Sequence, residues 1–295
     1  MRQCKTKAIW TFVVGALAVL CLGGTATAKL AGEYAKFAKC PYDNPEAVKC
    51  LYATVDGGEV VLGSKTVPIL NEVALQGGYT EPDAEGFLSL VPPSDGAVLS
   101  TGSQPIPGGL LGIVAPENAT PLVKAVVAML FESGLNRVDV AIELARPANQ
   151  VKLNENNLGG EIGPALKLPI KIHLENPLLG ESCYVGSAAS PIIWEPTTGA
   201  TNPPAPNKSI KGTVGKIEFV EGGLAIETRG SRFVDNSWSA PSANGCGGPL
   251  SYLIDPIINQ EVGLPSPAGR NGATLLGALH IASAVTVKEK ATEGD

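Results

Sequence analysis

The chain has two histidines, His173 and His280, and imidazole is the side chain best suited to acid–base work near neutral pH. His173 falls on the polar side of the alternating run Ile170-Lys171-Ile172-His173-Leu174. His280 sits opposite the apolar positions Leu279 and Ile281. The pattern makes each a surface or packing residue of a strand. A catalytic role would need a partner, and Ser187 or Asp235 beside one of the rings would reopen the question. The carboxylates of Glu81-Pro82-Asp83-Ala84-Glu85-Gly86 alternate before a glycine, as in a calcium loop. Pro92 stands where the closing bidentate Glu would be needed, so this stretch reads as a solvated loop.

Four cysteines follow the first 28 residues: Cys40, Cys50, Cys183 and Cys246. With no Cys-x-x-Cys spacing and only two histidines, a zinc framework is not expected. An even number points to disulfides wherever the compartment is oxidising, with three pairings open. Cys40–Cys50 is favoured because turn-forming residues lie between them, and Cys183–Cys246 then follows by exclusion. The most unusual local stretch, Phe233 to Gly248, surrounds Cys246 with small and turn-forming residues. It reads as a tight turn pinned by a disulfide rather than a ligand loop or reactive thiol.

Other chemical signatures are weak. There is no Gly-x-Ser-x-Gly elbow and no phosphate-binding loop, and Pro107-Gly108-Gly109-Leu110-Leu111-Gly112 lacks dinucleotide spacing, so it reads as a turn. No catalytic residue, metal or cofactor is assigned. Paired carboxylates for glycoside hydrolysis leave no sequence trace, and only Trp194 and Trp238 beyond the leader could offer stacking platforms for sugars. Asn118-Ala119-Thr120 and Asn207-Lys208-Ser209 match the glycosylation sequon.

The elements that must position these residues are mostly strands. Val138 to Leu144 and Ile170 to Leu174 alternate apolar and polar residues, the pattern of half-buried strands. Val60–Leu62 with Thr66–Ile69 reads as a hairpin with Pro68 on an edge, and Ile217–Phe219 with Leu224–Ile226 flanks a Glu221-Gly222-Gly223 turn. Leu275 to Lys288 is expected to put Leu279, Ile281, Val285 and Val287 on one side. A short helix is expected before Cys40, a longer one over Pro121–Ser133 with a strand as the alternative, and a helix or helical turns over Leu250–Glu261 interrupted at Pro256. Residues 79–118 read as a long connection with local structure. The similar stretches Gly57-Gly58-Glu59-Val60 and Gly159-Gly160-Glu161-Ile162 leave a duplicated hairpin open, against chance similarity. The fold class predicted is mainly β, an antiparallel sandwich or barrel with one or two short helices.

Residues 1–28 have the order of a secretory leader: Arg2, Lys5 and Lys7, then an apolar run from Ala8 to Gly23, then Ala26-Thr27-Ala28. A retained anchor is the alternative. Lipidation at Cys21 is disfavoured by the bulk of Leu20 before it. Residues 29–288 are expected to form one β-rich domain and 289–295 a polar tail, with no transmembrane helix once the leader is cleaved. The chain of 295 residues carries 22 basic and 28 acidic side chains, and losing the leader makes the balance more acidic still. That charge disfavours nucleic acid as a partner. High apolar content (44%) with 35 Gly and 24 Pro fits short strands joined by turns rather than disorder.

Three stretches together resemble a group of uncharacterised secreted proteins from actinobacteria. They are Phe37-Ala38-Lys39-Cys40-Pro41 through Cys50 to Gly57-Gly58-Glu59; Cys183-Tyr184-Val185-Gly186-Ser187 through Thr197-Thr198-Gly199 to Pro203-Pro204; and Val234-Asp235-Asn236 through Gly245-Cys246-Gly247-Gly248 to Gly263-Leu264-Pro265-Ser266. The resemblance implies export and a shared fold, and brings no catalytic residues. The function expected is therefore that of a secreted or cell-envelope-associated β-domain with a binding or structural role, its partner an apolar small molecule or an envelope component. An extracellular hydrolase without a recognisable motif and a surface or pore-forming barrel are the alternatives.

Overall fold

Two long strands dictate the architecture. In the computed structural model, which describes residues 30–109, 120–121, 124–125 and 137–293, β1 (Lys49–Leu62) runs antiparallel to β15 (Gly272–Ser283) from Lys49↔Ser283 to Val61↔Gly272. Strict alternation sends Leu51 and Ala53, opposite Ile281 and Leu279, to the inner face. The expected leader, Asn118, the island Leu110–Val114 and most of the helix over Pro121–Ser133 lie outside the described residues. The described positions Pro121, Lys124 and Ala125 are helical.

The first layer grows outward from this pair. On one side β1 meets β3 (Val73–Tyr79), which carries β4 (Leu88–Val91) and β5 (Leu99–Thr101). On the other, β15 meets β13 (Ala225–Asp235), and β12 (Lys216–Val220) closes that edge through the expected hairpin. β2 (Lys65–Pro68) folds back on the far end of β1, with Pro68 on an edge strand as expected.

The second layer is built around β9 (Leu166–Glu175). It pairs with β7 (Asp139–Leu144), β8 (Lys152–Leu153), β10 (Tyr184–Val185) and β11 (Ile192–Trp194). β6 (Gln104–Pro105) adds to β7 and β14 (Ala243–Asn244) to β10. β8 also pairs with β4, so the two layers share one hydrogen-bonded network along one side. The strand path ends at β12 and β14 and is not closed. The fold is a mainly antiparallel sandwich rather than a barrel, and its interior is filled by Leu51, Leu75, Ile170, Ile172 and Trp194.

Helices cover the edges. A 3₁₀ helix, Gly32–Phe37, buries Tyr34 and Phe37 on the outer face of the first layer beside α3 (Ala284–Glu293). α1 (Glu155–Gly160) is capped by Asn154, whose side chain accepts from the Asn157 N–H. α2 (Ser251–Val262) runs through Pro256 rather than breaking there. Tertiary contacts hold it: Ile258 and Val262 are buried, and the Asn259 amide grips both the N–H and C=O of Ala243 (2.7 and 3.0 Å).

Several expectations sharpen or change. The local structure expected within residues 79–109 amounts to three strands, β4, β5 and β6. The chain leaves β15 for α3 at Ala284, so Val285 is exposed while Val287 is wholly buried, and the expected tail through Glu293 is helix with Ala291 buried. The apparent repeat is not structural: Gly57–Val60 is in β1, whereas Gly159 and Gly160 end α1.

Both disulfides form in the pairing that the sequence favours, Cys40–Cys50 and Cys183–Cys246, with Cα–Cα distances of 5.4 and 4.1 Å. The first fixes the Gly32–Phe37 cover to β1. The second ties β10 to the segment leading into α2, where the Asp255 carboxylate accepts from the N–H groups of Gly245 and Cys246.

Two measurements test this account. A Cβ at Gly277 would meet the Thr54 carbonyl oxygen at 1.8 Å, in the middle of the β1–β15 pair. Gly277→Ala should therefore destabilise the fold by about 2–3 kcal/mol in urea unfolding, since neither backbone can yield cheaply. Removing the Cys183–Cys246 bond by double alanine substitution should cost about 4 kcal/mol, because it reopens a long loop in the unfolded chain.

Candidate functional site

The first layer is wider than the second. Alternation in β12 and β13 aims Ile217, Phe219, Ile226 and Thr228 at the inner face, next to Leu279 and Ile281 of β15. The second layer does not reach this corner. A groove of about 500 Å³ remains, floored by these residues and walled by Leu158 and Gly159 of α1 and by Val214. Phe219 is 71% exposed and Leu224 52%. Lys49 and Glu155 form an ion pair at the groove, with Glu81 nearby.

Deeper in, a second space of about 100 Å³ lies between the layers. Leu51, Val55, Leu75, Leu168, Ile170 and Phe233 are among its apolar lining residues. Leu279 borders both spaces. A cavity of this size lined by hydrocarbon stays dry and accepts only apolar matter.

The polar groups near the groove are committed to holding its walls. The bulge of β13 between Thr228 and Ser231 brings their hydroxyls to 2.7 Å. Ser231 donates onward to the Val214 carbonyl (2.7 Å), and Thr228 accepts from the Leu279 N–H (3.1 Å). Glu161 caps α1 in the left-handed region (φ 51°). Its carboxylate accepts from the Val214 N–H (3.0 Å) and the Thr213 hydroxyl (2.9 Å). These bonds, with Lys211 at 3.6 Å, hold its pKa below the usual carboxylate value.

The histidines lie on outer faces. His173 places Nδ1 3.7 Å from carboxylate oxygens of both Glu143 and Glu175 and stacks on Tyr184 at 4.5 Å. His280 is buried, not superficial. It stands beside Tyr52 and directly across from Glu227 in the strand register, with Glu33 of the 3₁₀ cover above. Burial, then the Lys36 ammonium, pushes the His280 pKa down; Lys36 likewise holds Glu33 low. Sequence reasoning missed this group because its members are distant along the chain.

Ser187 and Asp235 sit beside neither histidine. Ser187 Oγ accepts from the Ser190 N–H, and Asp235 accepts from the N–H groups of Glu195 and Ser237 and from the Ser237 hydroxyl. Asp83 spends its carboxylate on the N–H groups of Glu85 and Phe87, a turn rather than a cation loop. Trp194 and Trp238 pack edge to face in the core, 5.8 Å apart, and offer no platform to a sugar. The Asn207 amide nitrogen donates to the carbonyls of Asn236 and Asn271 (2.8 and 2.7 Å), so the sequon there is engaged internally.

No protein-family model, curated protein or solved structure matches the chain. The Glu161 anchor makes the stability of the fold depend on pH. Its folded pKa is depressed, so its contribution is full above the ordinary value of 4.5 and is lost as pH falls through the lower folded value. Thermal unfolding from neutral pH downward should show Glu161→Ala less stable than the parent at the start of the series, with the gap closing in acid.

Proposed function

We propose that this protein is an exported β-sandwich domain that binds an apolar or amphipathic small molecule in the groove floored by β12, β13 and β15. The observation that carries the reading is the uncovered inner face of that corner: Ile217, Phe219, Leu224 and Ile226 are exposed on a surface whose continuation is core. Its volume falls in the range of small-molecule sites, and its few polar groups sit at the border. Export is supported by the leader, by two disulfides that fit an oxidising compartment, and by the resemblance to secreted actinobacterial proteins. Among the described residues no helix is long and apolar enough to cross a membrane. The acidic balance continues to disfavour nucleic acid. A hydrolase reading gains less support, because both histidines are engaged by carboxylates or ammonium away from the groove.

Native mass spectrometry of protein from its own culture supernatant, repeated after denaturation, is the direct test. A reproducible extra mass that leaves on denaturation identifies the ligand. Titration with a fluorescent long-chain fatty acid then localises it. Phe219→Asp, at an exposed position that the fold does not need, should weaken the probe about tenfold or more through lost apolar contact. An unchanged affinity in a folded variant would assign the probe elsewhere and remove the groove from the reading.

A further inference from the structure

The reverse side of the groove floor carries a different chemistry. Glu227 lies between Ile226 and Thr228 on β13, and His280 between Leu279 and Ile281 on β15, so the alternation that aims their neighbours into the groove aims these two outward. They are cross-strand partners. The 3₁₀ helix Gly32–Phe37, seated by buried Tyr34 and Phe37, lowers Glu33 onto them. The ligand atoms of Glu33, Glu227 and His280 all fall within 4.8 Å of one another, and Glu227 and His280 are more than nine-tenths buried.

We infer that Glu33, Glu227 and His280 form a binding site for a zinc-type divalent cation, with Lys36 as its built-in competitor. One imidazole nitrogen and two carboxylates are ligands such a cation accepts, and three protein ligands leave a fourth position for water. A tetrahedral ion with bonds of about 2.0–2.1 Å spaces its donors about 3.3 Å apart, a contraction within reach of side-chain rotation.

What the structure places there already is a cation. Lys36 Nζ donates to Glu33 Oε2 at 2.6 Å and stands 3.4 Å from His280 Nδ1. An ammonium can only donate, so the ring nitrogen facing it offers its lone pair. Two of the three donors, Glu33 and His280, therefore already face a positive charge, and Glu227 lies alongside them. Lys36 is partly exposed, on a long stem that can turn to solvent when a divalent ion enters. Arg229 donates to both oxygens of Glu227 (Nε–Oε1 3.0 Å, Nη2–Oε2 3.3 Å) and would remain as a second-sphere partner that orients the carboxylate, each oxygen keeping a further lone pair.

This site is independent of what fills the groove. Its test is zinc titration of untagged, disulfide-intact protein at neutral pH, followed by calorimetry and by the shift in Tm. One zinc per chain is expected, with a Tm rise of several degrees. Glu33→Gln, on the surface helix and safe for folding, should weaken binding about 100-fold, and Lys36→Met should strengthen it about tenfold by removing the competitor. Zinc binding that Glu33→Gln leaves unchanged would overturn the assignment. So would the absence of saturable binding in the parent chain. Binding seen only in Lys36→Met would do the same, because the lysine would then be the permanent cation of the site.

Discussion

The β1–β15 pairing is the constraint on which everything else hangs. Its register decides which residues face inward, and a slip by one would exchange Leu279 and Ile281 for His280 and Ala282. Close contact of backbones secures it. At Gly58 and Gly277 the neighbouring strand approaches so nearly that a Cβ would collide with the carbonyls of Thr274 and Thr54. The register shift between Val55 and Gly57 bends β1 at this level. Beyond it the strand runs on to pair with β2.

One pair of strands thereby generates two surfaces. Inward, β15 contributes Leu275 to the cavity, Ile281 to the groove and Leu279 to both. Outward, it presents His280 to the N-terminal cover. The cover is held by the Cys40–Cys50 bond and by a small second core of Leu30, Tyr34, Phe37, Ala282 and Val287. Groove and polar cluster thus lie back to back across one sheet. Between the layers the core encloses only the small apolar space beside Leu279, whereas the uncovered corner leaves a contiguous stretch of apolar sheet unpaired.

The disulfides act where the sheet cannot. The 3₁₀ cover and the Asn236–Gly248 segment lack long strand pairing; the first is fixed by a disulfide and by buried Tyr34 and Phe37, the second by a disulfide and by side chains that satisfy backbone groups. Asp235, Asp255 and Asn259 all serve in that way. The Cys246 stretch, read from sequence as a tight turn pinned by a disulfide, is fastened in that way.

The sequence by itself determined the strands with clean alternation, the hairpin turns and the favoured disulfide pairing, because period, turn chemistry and short loops are local. Ile170, Ile172 and Leu174 declare a buried strand face without help from any neighbour. It also specified the lack of familiar catalytic spacing. Only the tertiary structure decided that the sheet stays open, that Leu275–Lys288 changes from strand to helix at Ala284, and that α2 survives Pro256. Each depends on packing against elements far along the chain. The groove could not be read because its apolar residues follow the same alternation as core residues. What distinguishes Phe219 from Leu279 is whether a second layer covers it. Likewise Glu33, Glu227 and His280 carry no common motif, and only strand register and the docking of one short helix bring them together.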